Sequence, residues 1–176
     1  MHEYLFRRLT EGDDTAGHAV WMEAFLWLQE RGIRQWVVPL PFEAFQQRTS
    51  DGRNYGLFDK TDLLAVVALS FQCDDHWTDL LGMAPRWWLG ALAVRSSARG
   101  RGLGRRTVAN AFLQLEQSEA REVYLDCVEG ELQGYYESLG FKQMGAKRVT
   151  YASGNTFPMV LLRAPLLPRS SKGACS

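Results

Sequence analysis

Residues 87–112 read WWLGALAVRSSARGRGLGRRTVANAF: an uncharged apolar run, a loop of glycines and arginines, then an amphipathic stretch. The apolar run over 87–94 predicts a strand covered on both faces. Val108, Phe112 and Leu115 fall on one stripe and predict a helix over about 103–120. The next apolar run, EVYLDCV at 122–128, reads as a second buried strand. Strand, helix and strand in that order imply a right-handed crossover and a parallel pair, so the chain is committed to an α/β sheet.

Within 99–106 stand four arginines (Arg99, Arg101, Arg105, Arg106) and three glycines (Gly100, Gly102, Gly104). Their loop lies beyond the carboxyl end of a strand, where open parallel sheets bind ligands. Successive amides at a helix N-terminus attract anions, and glycine removes the Cβ atoms that would hold a phosphate away. Nearby arginines add charge-assisted hydrogen bonds, so a pyrophosphate is the natural occupant. The loop is no Walker motif, because no Gly-Lys-Ser/Thr follows. Nor is it a dinucleotide fingerprint, because Arg105 stands where a third glycine belongs.

The remaining elements follow from local pattern. Residues 4–9 form a strand, and Trp21, Phe25 and Leu28 recur at helical spacing in a helix closed by Gly32. A short helix fits 41–48, and 55–58 with 63–71 make a hairpin. Residues 73–86, CDDHWTDLLGMAPR, read as a polar loop. A short helix over 131–139 stops at Gly140, and 141–163 closes as a hairpin turning at ASGN. One domain over 1–164 and a flexible tail over 165–176 are expected, the tail for its lack of periodicity.

With 176 residues, 46% of them hydrophobic, the chain can bury one sizeable core. Twenty basic and twenty acidic residues cancel, so any anion recognition is local. Nucleic-acid binding is therefore not expected, since no basic stripe accompanies the loop. No stretch approaches the apolar length of a membrane span or a signal peptide, which predicts no membrane partner and a soluble protein. Cys73, Cys127 and Cys175 fit neither a disulfide framework nor a metal site, so a cytoplasmic location and no metal are expected.

Arg99-x-x-Gly102-x-Gly104, preceded by LGALAV and followed by a helix, resembles the acyl-CoA-binding motif of the GNAT acyltransferase superfamily. The segment YYESLGF, 135–141, is similar to that family's YEKLGF segment, in the expected order and spacing. The resemblance spans residues 4 to about 162. It implies a GNAT fold: a mixed central sheet of about six to seven strands with a splayed parallel pair, flanked by about four helices. It also implies an N-acetyltransferase moving an acetyl group from acetyl-CoA to a primary amine of a small molecule or peptide by direct attack. Closing strands in this family often pair between subunits, so a homodimer is a further implication.

By the same resemblance, backbone groups of Leu92, Ala93 and Val94 hold pantetheine and the thioester carbonyl. Amides and side chains of Arg99, Gly100, Arg101, Gly102, Leu103, Gly104 and Arg105 take the pyrophosphate. Tyr136 matches the general acid toward the departing thiolate. Where some relatives carry a glutamate base on the strand before the loop, this chain has Trp88, and an often-seen asparagine is Glu129. The base is left open among Asp74, Asp75, His76, Asp79, Asp126, Glu129 and ordered water.

The acceptor wall is expected from the first two helices and the loop before the cofactor strand, a region rich in aromatics: Trp21, Phe25, Trp27, Trp36, Phe42, Phe45 and Trp77. Phe25, Asp75, Trp77 and Asp126 are the candidate acceptor-binding residues. The acidic CDDHW loop would suit a cationic acceptor, including an aminoglycoside-like or polyamine-like one. A competing possibility is a non-catalytic acyl-CoA-binding regulatory module, which keeps the phosphate loop without turnover.

Overall fold

The computed structural model describes residues 3–118, 120–151 and 154–166. In chain order it contains β1 (Tyr4–Arg8), α1 (Asp14–Glu30), α2 (Phe42–Ser50), β2 (Asn54–Asp59) and β3 (Asp62–Gln72). There follow α3 (Thr78–Leu81), β4 (Arg86–Val94), α4 (Leu103–Glu116), β5 (Glu122–Val128), α5 (Glu131–Glu137), β6 (Lys142–Thr150) and β7 (Thr156–Pro165). All strands join one seven-stranded sheet in the order β1-β2-β3-β4-β5-β7-β6. Only the β4–β5 pair is parallel. The crossover through α4 thus joins the two strands expected to be parallel, and the closing hairpin inserts β7 between β5 and β6.

Alternation of side chains across the strands gives the sheet two buried faces. From β5, Val123, Leu125 and Cys127 point to the layer formed by α4 and α5, where they meet Val108, Ala111 and Leu115. Tyr124 and Val128 point the other way, toward Trp77 and Trp88. On that second face α1 and α2 bury Val20, Trp21, Phe25 and Phe45 over Phe58, Val66 and Ala93. Each such fully buried side chain contributes about 2 kcal/mol of transfer free energy.

Three local differences from the sequence reading have physical causes. The segment expected as a polar loop holds a 3-10 turn at Asp75–Trp77 and the single-turn α3, which makes a fifth helix. Trp77 is fully buried and pins that segment to the sheet, while the Asp74 carboxylate accepts the His76 amide at 2.8 Å. Helix α4 stops at Glu116, short of Ala120. Strand β7 continues to Pro165, inside the expected tail, and buried Leu166 donates its amide to the Arg121 carbonyl at 2.8 Å. The rest of that tail, 167–176, lies outside the described residues, as does Cys175. Among the described residues no helix is long and apolar enough to cross a membrane.

The entry to α1 is fixed by one carboxylate. Asp13 accepts two hydrogen bonds from Arg7 of β1, at 2.7 and 3.0 Å, and two from the amide and hydroxyl of Thr10, each 2.8 Å. The Arg7 hydrogen bonds outweigh burial and hold the Asp13 carboxyl well below its ordinary 3.8. A carboxyl with a depressed folded pKa stabilises above its unfolded pKa, and that contribution is lost as pH falls through the lower folded value. Asp13→Ala should therefore cost about 1–2 kcal/mol at pH 7 in urea unfolding, and the difference from the unsubstituted chain should shrink at pH 3.

Candidate active site

The site starts with a defect in β4. Gly90 faces Ala68 of β3 and Ala93 faces Val66, so two residues, Ala91 and Leu92, stand opposite the single Val67. Ala91 takes a left-handed φ of 51°, a conformation that costs a non-glycine residue about 1–2 kcal/mol. Such a bulge bends its strand. The parallel ladder between β4 and β5 accordingly has one register pair, Trp88 with Tyr124, and beyond it the strands part.

Parted strands leave backbone groups without ladder partners, and buried ones must find others. On the β5 side Gln35 supplies them: its Oε1 accepts the Val128 amide at 2.8 Å, and its Nε2 donates to the Asp126 carbonyl at 3.5 Å. On the β4 side, the Arg95 amide bonds to Leu64 of β3 at 2.8 Å. Because backbone groups alternate along a strand, those of Val94 and Leu92 face away from β3, into the gap.

The gap opens into a slot of about 350 Å³. Leu92, Ala93 and Val94 line one wall, Tyr135 and Tyr136 of α5 another, and Trp27 with Leu28 of α1 a third. At its mouth a bowl of about 320 Å³ is formed by Ala98, Arg99, Gly100, Gly102, Leu103, Gly104 and Arg105, with Val94, Arg99 and Tyr135 common to both spaces. The loop residues singled out in the sequence therefore meet in one concavity, except Arg101, whose guanidinium donates to the Tyr4 hydroxyl at 3.0 Å, and Arg106, which lies over the Tyr4 ring.

Two glycines give the bowl its shape. Gly102 sits before α4 at a φ of 71°, where a side chain would be strained. At Gly104 a Cβ would run into the Tyr135 hydroxyl. The first intrahelical bond of α4 runs from the Arg106 amide to the Gly102 carbonyl at 3.1 Å. The amides of Leu103, Gly104 and Arg105 precede it and are left for a ligand. Arg99 is set from below: it donates to the Glu23 carbonyl at 3.1 Å and lies over the Trp27 ring. Glu23 also accepts the Ser96 amide at 2.6 Å. Burial opposes the Glu23 charge, yet Ser96, Arg95 and Arg99 together hold its pKa below the ordinary value. The bowl and slot thus fit a pyrophosphate and an extended thiol-bearing arm.

Tyr136 packs edge-on against Phe141 and Tyr135 at the inner end of the slot. Burial, then the neighbouring Cys127, Tyr135 and Asp126, push its phenol well above the ordinary 10.0, so it stays protonated at neutral pH. Tyr135 belongs instead to the bowl, over Gly104.

Beside the slot, and sharing Gln35 and Trp36 as lining residues with it, lies a second chamber of about 540 Å³. Its floor is the sheet face of Ala68, Ser70, Trp88 and Gly90, and its roof is the segment 36–41 with Trp21. Asp126 lines it, with the Trp77 indole N–H donating to Oδ2 at 3.1 Å. Burial, and secondarily Asp74, raise the Asp126 pKa above 3.8 against the opposing pull of Trp77 and His76. At Trp88 the strand presents an indole whose N–H is taken by the Gln72 carbonyl at 3.2 Å, so β4 offers no carboxylate.

Of the four candidate acceptor residues, only Asp126 lines the chamber directly. Trp77 is fully buried and acts through its bond to Asp126. Phe25 is buried in the α1 core, stacked on Trp21 at 5.7 Å, and does not line the chamber. Asp75 points to solvent, and Asp74 beside it lines the chamber instead. Glu129 is exposed and Asp79 pairs with Lys147, away from the chamber. Gln35, Arg48, Arg53 and Tyr151 are chamber residues the sequence reading did not name. They lie in irregular segments or at element ends, where no periodicity marks them. Among the described residues no group of three or more His, Cys, Asp or Glu is placed to hold a metal ion.

The sequence matches the family model described as acetyltransferase (GNAT) family over residues 17–141. A search of curated proteins returns no match. Among solved structures, a GNAT-family acetyltransferase from Listeria monocytogenes 4b F2365 superposes with a TM-score of 0.75 at 21% identity, covering 93% of this chain and 95% of its own. The ribosomal-protein-S18-alanine N-acetyltransferase from Escherichia coli gives 0.67 at 16% identity, covering 97% and 99%. A Salmonella typhimurium protein solved with its cofactor acetyl-CoA gives 0.68 at 12%, covering 98% and 99%. At these identities the likeness is one of fold.

The bowl makes a ranking. Gly102→Val should weaken acetyl-CoA binding by at least about tenfold, because it strains the turn that presents the amides. Arg106→Ala, whose guanidinium lies over the Tyr4 ring 4.8 Å from its centroid, should change it by less than about threefold. A calorimetric titration of each variant checks the order.

Proposed function

The chain belongs to the GNAT family of acetyltransferases, and from that premise we propose that it moves an acetyl group from acetyl-CoA to a primary amine by direct attack. The observation that carries this is the position of Tyr136 and Asp126 on opposite sides of one gap. β5 alternates, so Cys127 faces the α5 layer beside Tyr136 while Asp126 faces the chamber. Acetyl-CoA supplies a thioester; everything else is done by this chain.

In this scheme the bowl amides and Arg99 hold phosphate oxygens, and the Leu92 and Val94 edge of β4 orients the arm beside Tyr136. Backbone N–H groups facing the thioester carbonyl stabilise the negative charge that grows there, the kind of contribution that fixed dipoles in a water-poor site provide. Asp126 accepts the proton of the incoming amine as the C–N bond forms. Tyr136 donates its proton to sulfur as the C–S bond breaks. The raised phenol pKa keeps the acid protonated, and the raised carboxyl pKa brings the base nearer to neutral pH, as general acid–base catalysis requires. The free thiols Cys73 and Cys127 suit a reducing cytoplasm.

Thiol release from acetyl-CoA over a panel of amines tests the proposal. Tyr136→Phe should lower kcat by about 10²-fold or more while leaving acetyl-CoA binding intact. A carboxylate base works only when deprotonated, so kcat/KM should rise with pH through the elevated Asp126 pKa. Asp126→Asn should lower it about 10²-fold or more and remove that acidic limb. Binding of acetyl-CoA without thiol release on any amine would make the protein a non-catalytic acyl-CoA-binding module instead.

A further inference from the structure

The acceptor chamber carries opposite charges at its two ends. Asn54 of β2 pairs with Ala68, Ala68 with Gly90, and the parallel register of Trp88 with Tyr124 sets Gly90 level with Asp126. Arg53, next to Asn54, and Asp126 therefore stand at opposite ends of the chamber, on the β2 and β5 sides with β3 and β4 between them. Asp74 stands with Asp126 at the β5 end, and Arg48 of α2 stands with Arg53 at the β2 end.

The arginine end is electrostatically incomplete. Arg53 pairs with Asp51 at 2.6 Å, but its Nε is buried without a partner. Among the described residues no carboxylate pairs with Arg48; burial first, and then the charge of Arg53, lower its pKa. Arg48 and Arg53, near enough for the charge of Arg53 to act on Arg48, bring two positive charges to this end against the single carboxylate of Asp51, and such a pair attracts a further anion. The Trp21 indole N–H, in the chamber roof, is also buried without a partner. A polyamine would place a cation against these arginines, so the cationic acceptor expected from the CDDHW loop does not suit the whole chamber.

We propose that the acceptor is a small amine bearing a carboxylate, a free amino acid or amino-acid-like molecule, with its anionic group on Arg48 and Arg53 and its amine toward Asp126. This inference rests on the acetyl transfer proposed above for its chemistry, but the anion site stands apart from it. The chamber's 540 Å³ leaves room for a side chain beyond the amine and carboxylate.

The test uses the full chain, free amino acids and their α-carboxamides, in two measurements. In the first, acetylated product is quantified with acetyl-CoA. At least one amino acid should be acetylated, its carboxamide at least about tenfold more slowly, and Arg48→Gln or Arg53→Gln should erase that preference. Equal or faster acetylation of carboxamides or polyamines by the unsubstituted protein would overturn the inference while leaving acetyl transfer standing. In the second, binding without acetyl-CoA is read by the fluorescence of Trp21, Trp36 and Trp88. Amino acids should bind and carboxamides should not, and Arg48→Gln should weaken binding at least about tenfold. Arg48-dependent binding of amino acids with no acetylation of any of them would keep the anion site but overturn the amino acid as acceptor, and acetyl transfer itself would then stand or fall on the amine panel above. Absence of both binding and turnover for every amino acid would overturn the inference.

Discussion

Everything functional in this fold depends on two neighbouring parallel strands that cannot stay paired. The β4 bulge at Ala91 and Leu92 turns the strand away from β5 after the Trp88–Tyr124 pair. A gap in the middle of a buried sheet exposes polar backbone, and a buried N–H or C=O without a partner is costly. Gln35 answers on the β5 side, bonding to the Val128 amide and the Asp126 carbonyl, and in the proposed reaction the β4 edge bonds to the cofactor arm.

The gap also lies between groups carried on the two faces of the sheet. Tyr136 comes from the α5 face and Asp126 from the α1–α2 face, a separation that follows from simple alternation along β5. In the proposed reaction this lets an acid and a base act on one reacting group from opposite sides. In the same proposal the glycine bowl at the mouth sets how far the arm reaches into the gap; Gln35 and Trp36 line both slot and chamber.

The cofactor side was legible in the sequence because its signals are local. Glycines before a helix, an apolar run ahead of them and a Tyr-x-x-x-Gly-Phe segment carry their meaning within a few residues. The acceptor side was not. Arg48 and Arg53 are unremarkable charges at a helix end and a strand start, and only the order β2-β3-β4-β5 sets them opposite Asp126. Trp77 and Phe25 were read as possible wall residues, but the cost of exposing large rings draws both into the core. The CDDHW segment was read as loop because of its charges, whereas one buried tryptophan decides its structure. The bulge at Ala91 had no signal at all, since alanine does not favour a positive φ.

The parting of β4 from β5 is tested most directly by amide hydrogen exchange with and without saturating acetyl-CoA. Protection should rise at Leu92 and Val94 and at Leu103, Gly104 and Arg105, with the β3-bonded Arg95 amide unchanged. Saturating binding that leaves those five amides exchanging at their original rates would show that the gap and the bowl are not where the molecule is held.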